Sequence, residues 1–486
     1  MAYIETKNLT FSYPKSNSKA LKDVSIIIDK GEFVLLMGKT GSGKSTLLKL
    51  LKKEIAPFGE IQGEIIGNTN SAAFVVQDID SSFVCDKVRG ELVFALENKK
   101  LPNDVIAVKL GEIVSFFNLN DILDADISEL SGGQKATVAV AAAMISAPDV
   151  LILDEPLSQL DPKASYQLVS LLQRVNSELG TTVIMSSHIS DNLVDICDKM
   201  YIMDNGKIAA DGAAHSLSKC DNLLPFFPVY TSLFDSRPLS VKEAIFCNIN
   251  FKEKEITESK FAQKAVEVKN ITFSYGKNQK DILDGLNLTV YKGSVHSIIG
   301  ANAGGKTTLL KVIAGIKKQY AGKVKVYGKI AYLPQNPRYL FTKDTVLEEA
   351  GESFAKRLCP NDYDTRHPYD LSGGEMQKLA LEILFNNDFD IILMDEPSKS
   401  LDYFSKQELK KTIKELAKNG KTVVLVSHDL DFVGEISDFV SFLSDGIITI
   451  TGSRRQVLSS LDFYTTQIRR ITKGKLKSAV SAEDLI

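Results

Sequence analysis

Gly38-Lys39-Thr40-Gly41-Ser42-Gly43-Lys44-Ser45 is the stretch on which the fold turns. It follows a short apolar run, Phe33-Val34-Leu35-Leu36-Met37. It precedes Ser45-Thr46-Leu47-Leu48-Lys49-Leu50-Leu51, which has helical character. A buried strand, a glycine-rich loop and a helix in that order predict a loop whose backbone N–H groups turn inward around phosphate oxygens. The following helix adds its positive N-terminal end. The arrangement recurs 262 residues later as Gly300-Ala301-Asn302-Ala303-Gly304-Gly305-Lys306-Thr307. One such match is often a chance loop, but two between an apolar strand and a helix are not. Lys44 and Lys306 then reach the β- and γ-phosphates of ATP, Ser45 and Thr307 ligate Mg2+, and Thr46 and Thr308 join the nucleotide-binding residues.

Moving outward, three further motifs are doubled in the same order. They are Leu130-Ser131-Gly132-Gly133-Gln134 with Leu371-Ser372-Gly373-Gly374-Glu375, Asp154-Glu155-Pro156 with Asp395-Glu396-Pro397, and His188 with His428. Val150-Leu151-Ile152-Leu153 and Ile391-Ile392-Leu393-Met394 read as buried strands ending in an acidic pair. At such an end Asp154 and Asp395 are candidates for holding Mg2+, and Glu155 and Glu396 for polarising the attacking water. Thr182-Val183-Ile184-Met185 and Thr422-Val423-Val424-Leu425-Val426 are strands running up to Ser-His. The paired position makes His188 and His428 candidates for a γ-phosphate contact. Tyr13 and Tyr275, in matching Phe-Ser-Tyr segments, are candidate platforms for adenine. Alternating strands and helices predict an α/β fold: two P-loop NTPase domains in tandem, each with a mostly parallel core sheet, an antiparallel β region and a helical subdomain.

The offset between repeats is 262 at the P-loops, 258 at Gln77 and Gln335, and 241 at Ser131 and Ser372. The second repeat therefore lacks 17 residues between its glutamine and its serine-glycine motif. The domains are expected at 1–215 and 265–455, with a linker at 216–264 and a C-terminal extension at 456–486. Pro225, Pro228 and Pro238 interrupt the linker, and Lys252-Glu253-Lys254-Glu255 is its charged run. The extension is locally basic around Ile468-Arg469-Arg470 and Lys473 to Lys477 and is read as a solvated terminal helix.

Composition narrows the classes. Of 486 residues 44% are hydrophobic and 24% charged, an ordinary globular balance with enough apolar material for two cores. A net charge of −3 gives no electrostatic case for nucleic acid as a partner. The five cysteines, Cys85, Cys197, Cys220, Cys247 and Cys359, have no metal-ligand or CxxC spacing and fit free thiols. The first residues predict no signal peptide. No apolar run approaches the ~18 residues that span a bilayer, so a membrane role requires a separate membrane subunit.

Leu-Ser-Gly-Gly-Gln/Glu upstream of an apolar-Asp-Glu-Pro strand resembles the ATP-binding cassette (ABC) ATPases, and the resemblance covers nearly all of both halves. It implies Q-loops at Gln77 and Gln335, counted with the metal site. It implies D-loops at Ser158-Gln159-Leu160-Asp161 and Ser398-Lys399-Ser400-Leu401-Asp402. It also implies head-to-tail pairing, with Ser372-Gly373-Gly374 covering ATP on Lys44 and Ser131-Gly132-Gly133 covering ATP on Lys306. Such pairing within one chain gives one copy per transporter.

Val76-Gln77-Asp78 through Phe83-Val84, then Val88 to Asn98, is similar to the stretch after the Q-loop in energy-coupling factor (ECF) vitamin and metal importers. Gln335-Asn336-Pro337 with Thr345-Val346-Leu347-Glu348-Glu349 is similar too. Two fused ATPases with Pro238 to Ala244 in the linker resemble the ATPase of thiamine-precursor (hydroxymethylpyrimidine) importers. The implied partners are a transmembrane coupling subunit and a substrate-binding membrane subunit, with the ATPase peripheral on the cytoplasmic face of the cell membrane. The alternative is a soluble tandem ABC ATPase acting on ribosomes or nucleic acid. Such ribosome-binding relatives usually carry a long charged helical linker, and DNA-repair relatives carry zinc cysteines. Tandem sugar-importer ATPases typically have a degraded second P-loop, whereas Lys306-Thr307 is intact.

Departures from the family pattern predict unequal sites. Ala303 stands in place of the middle glycine, strained if that position needs positive φ. Ala301 stands where proline is frequent, Ala136-Thr137 replace the usual Gln-Arg, and Asp78-Ile79 lacks the Asn-Pro of the second Q-loop.

Overall fold

The computed structural model describes residues 3–14, 18–67, 71–158, 160–188, 193–247, 251–255, 261–276, 280–359, 364–371, 373–385, 388–399, 401–473 and 475–486. The chain divides into two compact units, Met1–Ser240 and Val241–Ile486.

The first unit runs β1 (Ile4–Ser12), β2 (Leu21–Ile28), β3 (Phe33–Gly38), α1 (Lys44–Leu50), β4 (Glu60–Gly67), β5 (Ala72–Val75), α2 (Val88–Asn98), α3 (Asn103–Phe116), α4 (Gly132–Met144), β6 (Val150–Asp154), α5 (Pro162–Leu179), β7 (Thr182–Ser186), β8 (Lys199–Asp204), β9 (Lys207–Gly212) and α6 (Ala214–Leu217). Its main sheet has the order β5-β6-β7-β3-β8-β9, parallel except for the β8–β9 pair. A three-stranded antiparallel sheet, β2-β1-β4, lies apart from it in the hydrogen-bonded order. Every residue of β3, β6 and β7 is buried, which is why these strands read as unbroken apolar runs. Their side chains alternate between two cores. Val34, Leu36, Ile152 and Ile184 join Ile4, Phe11 and Leu21 of the antiparallel sheet and Leu47 and Leu48 of α1. Phe33, Leu35, Met37, Leu153 and Met185 join Leu92, Val140 and Leu172 of the helices.

The second unit repeats this plan after α7 (Val241–Phe246): β10 (Lys264–Phe273), β11 (Leu283–Tyr291), β12 (Val295–Ile299), α8 (Lys306–Ile313), β13 (Ala321–Val326), β14 (Ile330–Leu333), α9 (Val346–Ala350), α10 (Glu352–Leu358), α11 (Gly373–Phe385), β15 (Ile391–Asp395), α12 (Tyr403–Lys418), β16 (Thr422–Val426), α13 (Leu430–Ile436), β17 (Phe439–Ser444), β18 (Ile447–Ser453), α14 (Arg454–Ser460) and α15 (Gln467–Thr472). Its sheets have the orders β14-β15-β16-β12-β17-β18 and β11-β10-β13. The fold class expected from the motifs is the one observed. The shortening between glutamine and signature falls on the helices, since α9 and α10 have 5 and 7 residues where α2 and α3 have 11 and 14. Among the described residues no helix is long and apolar enough to cross a membrane.

The segment read as one linker, 216–264, is shared between the units. Leu223, Phe227 and Leu239 are buried in the first core, and Tyr230 and Thr231 donate to the carbonyls of Leu239 and Pro238. Ala244 of α7 is buried, and α7 packs on α15. Lys252 and Ile486 exchange both backbone hydrogen bonds, and Lys254 N–H donates to Asp484 O.

The C-terminal extension is not the solvated terminal helix expected from its sequence: it packs part of its length into the second unit. Ile468, Ile471, Ala479 and Val480 are buried. Asp484, 1% exposed, accepts from both guanidinium nitrogens of Arg454, from Arg455 and from the amides of Val480 and Ser481. Of the basic residues that suggest a wet helix, Arg469 donates to Leu476 O, while Lys473 pairs with Asp462 at the surface. Burial raises the Asp484 pKa and the two arginines and amides more than offset it, so the group sits below its ordinary value. Asp484→Ala leaves two arginines facing a vacated buried site, and urea unfolding is expected to show the second unit destabilised by about 3 kcal/mol.

Candidate functional site

Each P-loop joins the carboxyl end of the central parallel strand to a helix, the place where open α/β sheets bind ligands. Backbone demands at the two loops match. Gly38, Gly41 and Gly43 have φ of 153°, 77° and 101°, and Gly300, Ala303 and Gly305 have 147°, 60° and 97°. A Cβ on Gly43 would meet Ala20 O at 2.7 Å, and one on Gly305 would meet Ile282 O at 2.8 Å, so these two positions admit only glycine. At Gly41 a Cβ would meet nothing within 4 Å. Space therefore allows Ala303 at the matching position, and the cost there is the left-handed backbone alone.

Lys44 and Lys306 are buried, and each ammonium donates to two carbonyls of its own loop. Lys44 Nζ lies 2.9 Å from Gly38 O and 3.1 Å from Lys39 O, and Lys306 Nζ lies 3.0 Å from Gly300 O and 2.6 Å from Ala301 O. Lys39 also pairs with Asp204 at 3.5 Å. The first hydroxyl after each lysine meets the buried aspartate: Ser45 Oγ donates to Asp154 Oδ1 at 2.9 Å, and Thr307 Oγ1 to Asp395 Oδ1 at 3.1 Å. A hydroxyl and a carboxylate side by side are hard oxygen donors of the kind Mg2+ takes, so these residues fit the ion. Burial holds both aspartates above the ordinary carboxylate range.

Glu155 and Glu396 follow in the left-handed region, at φ 50° and 54°. For a side chain with a Cβ this costs of order 1–3 kcal/mol, which the surrounding sheet must over-determine. Glu155 accepts from Gln77 Nε2 at 2.9 Å and pairs with His188 Nε2 at 2.6 Å. His188 Nε2 also lies 3.5 Å from Lys44 Nζ. Glu396 accepts from His428 N–H at 3.2 Å and lies 3.2 Å from His428 Nε2, while Gln335 is exposed. The first site thus gathers glutamine, glutamate and histidine, and the second, among the described residues, glutamate and histidine. Their electrostatics diverge. Burial raises Glu155, but the His188 hydrogen bond and the charges of His188 and Lys44 bring it below its ordinary value. Deeper burial carries Glu396 well above it, against the pull of the His428 amide and Lys306.

Tyr13 and Tyr275 are partly exposed rings whose hydroxyls bond Thr46 at 3.0 Å and Thr308 at 3.2 Å. Ser131 caps α4, and its hydroxyl and amide are occupied by a reciprocal pair with Gln134. This Ser-x-x-Gln pattern is legible in sequence as a capping box. Gly132 opens α4, and Gly133 packs so closely on α5 that a Cβ would lie 2.7 Å from that of Ala164. Gly373 and Gly374 open α11, whereas Ser372 lies outside the described residues. The D-loop aspartates Asp161 and Asp402 cap α5 and α12. Among the departures, Ala136 is buried without a polar group, while Gln377 at the matching place donates to Pro397 O.

Two residues are not among the sequence candidates. Ser186 Oγ donates to Asp154 Oδ1 at 2.7 Å and accepts from Glu155 N–H at 3.0 Å. Tyr332 OH donates to Asp395 Oδ2 at 3.4 Å. The only local signal for either is a hydroxyl on a strand beside that of the acidic pair.

The profile of the ABC transporter family matches residues 21–158 and 283–399. The chain belongs to the ABC transporter ATP-binding protein family. A Bacillus anthracis protein named as an ABC transporter ATP-binding protein is 34% identical over all of this chain and 98% of its own length. A like-named Clostridium tetani protein is 32% identical over 79% of this chain and 96% of its own. Among solved structures, an archaeal ribosome recycling factor, solved with a ribosomal stalk protein, has a TM-score of 0.64 at 24% identity, covering 93% of this chain and 91% of that one; the likeness is one of fold. Membership makes this ABC chain an ATPase that works with ATP and Mg2+.

Replacing Ala303 by glycine is expected to stabilise the second unit by about 1 kcal/mol, and Gly41→Ala to cost the first a similar amount. Calorimetry of the two single variants measures both changes.

Proposed function

We propose that this ABC ATPase powers an ECF-type importer of a vitamin, a vitamin precursor or a metal ion. It sits peripherally on the cytoplasmic face of the membrane, beside a transmembrane coupling subunit and a substrate-binding membrane subunit. The observation that carries this reading is end-to-end similarity to proteins named for ABC transporters. The Gln77-to-Asn98 stretch supports the narrower assignment.

In this reading the two cassettes pair within the chain. Ser372-Gly373-Gly374 closes over ATP held by Lys44, and Ser131-Gly132-Gly133 over ATP held by Lys306. The P-loop amides of Gly38 to Thr46 and Gly300 to Thr308 cradle the phosphates, and Tyr13 and Tyr275 face the adenines. Ser45, Gln77 and Asp154 hold Mg2+ in one site, and Thr307, Gln335 and Asp395 in the other. When bound, the ion supplies charge that offsets the phosphate oxygens. Glu155 and Glu396 orient and polarise the attacking water. His188 and His428, each beside its glutamate, contact the γ-phosphate. Closure with ATP and opening after hydrolysis then drive the membrane partner.

Glu155→Gln and Glu396→Gln are each expected to retain ATP binding and to slow turnover by unequal amounts. Wild-type turnover in the double variant would remove both glutamates from the mechanism. A pH series separates the sites. A base must be ionised, so the carboxyl with the raised pKa becomes active at the higher pH. Glu155→Gln, which leaves Glu396 in charge, should have its acid limb at higher pH than Glu396→Gln. Purification from membranes in mild detergent should bring down a multi-span protein with the chain; recovery with ribosomes instead would favour the soluble alternative.

A further inference from the structure

The two buried aspartates are held by hydroxyls from opposite flanks of their strand. In the first unit Asp154 ends β6 and pairs across the sheet with Ser186, the last residue of β7. In the second, Asp395 pairs with Val426, which offers no hydroxyl. The missing group arrives from the other neighbour, β14, as Tyr332. At that place the first unit carries Phe74, on β5 beside β6. Serine with phenylalanine in the first unit thus stands against valine with tyrosine in the second, and each aspartate has one strand-borne hydroxyl besides that of the P-loop.

We propose that Ser186 and Tyr332 are positioning residues, each fixing its aspartate in the orientation needed to take Mg2+. The proposal rests on the reading of Asp154 and Asp395 as the residues that hold the ion. A carboxylate buried at a sheet edge has few donors, and each one present removes a rotational choice. The two devices differ in reach. Ser186 also accepts the Glu155 amide, so one hydroxyl ties the aspartate to the left-handed glutamate peptide. The Tyr332 hydroxyl bonds the aspartate, and the Glu396 amide donates instead to Val426 O at 3.0 Å.

The test uses the full chain carrying Glu155→Gln and Glu396→Gln, with ATP and Mn2+ in place of Mg2+. Bound Mn2+ is counted by electron paramagnetic resonance. Tyr332→Phe and Ser186→Ala should each weaken Mn2+ at one of the two sites by roughly tenfold, with ATP binding nearly unchanged and, for Tyr332→Phe, the thermal midpoint nearly unchanged too. Adding Phe74→Tyr to Ser186→Ala should restore Mn2+ affinity, because it supplies the hydroxyl from the second unit's direction. Full Mn2+ affinity in both single variants, alongside a loss in Asp395→Asn, overturns the positioning roles and leaves the metal-site reading standing. Full affinity in Asp395→Asn as well overturns both.

Discussion

Each unit depends on keeping an ammonium, an aspartate and a glutamate out of water at the carboxyl edge of one parallel sheet. Buried charges cost several kcal/mol each unless they are paired or hydrogen-bonded. The P-loop meets part of this demand by turning two carbonyls toward its lysine, 2.9 and 3.1 Å away in the first unit. That turn requires the left-handed residues of the loop, and these require the strand and helix that clamp it. The aspartate meets its share through the P-loop hydroxyl and a neighbouring strand. Packing of fully buried β3, β6 and β7 between two cores keeps these groups in register.

The same constraint, met twice, has been met in two ways. The first glutamate has a glutamine and a histidine side chain at 2.9 and 2.6 Å and is held ionised. The second has His428 beside it while Gln335 is exposed, and burial pushes it toward its neutral form. The two P-loops share one backbone plan, and the residues around them make the two sites chemically distinct. Ala303 belongs with these differences, since its loop keeps the backbone of a glycine without having one.

Much of this arrangement is legible in the order of residues. The P-loops, acidic pairs and histidines stand at strand ends, and a strand end adjoining a glycine or an acid is a local pattern. The place where the second unit is shortened is readable from spacing alone, and the Ser131 capping box from a serine and a glutamine three residues apart. Other features are not local. The C-terminal stretch looks basic and wet in sequence, yet Asp484 collects two arginines that precede it by about thirty residues. The 216–264 segment looks like one linker, and its halves bury in different units.

By itself the sequence determined the α/β class, the doubling and the placing of each P-loop between a strand and a helix, because backbone conformation and charge at these points are dictated within a few residues. Tertiary structure decided which hydroxyl holds each aspartate, in which direction burial and partners move each glutamate's pKa, and which residues of the C-terminal segment are buried. Ser186 and Tyr332 sit on opposite neighbours of the acidic strand, and only strand order brings either to a carboxylate. Charge state follows from burial summed over every element around a group, a quantity that no short stretch of chain contains.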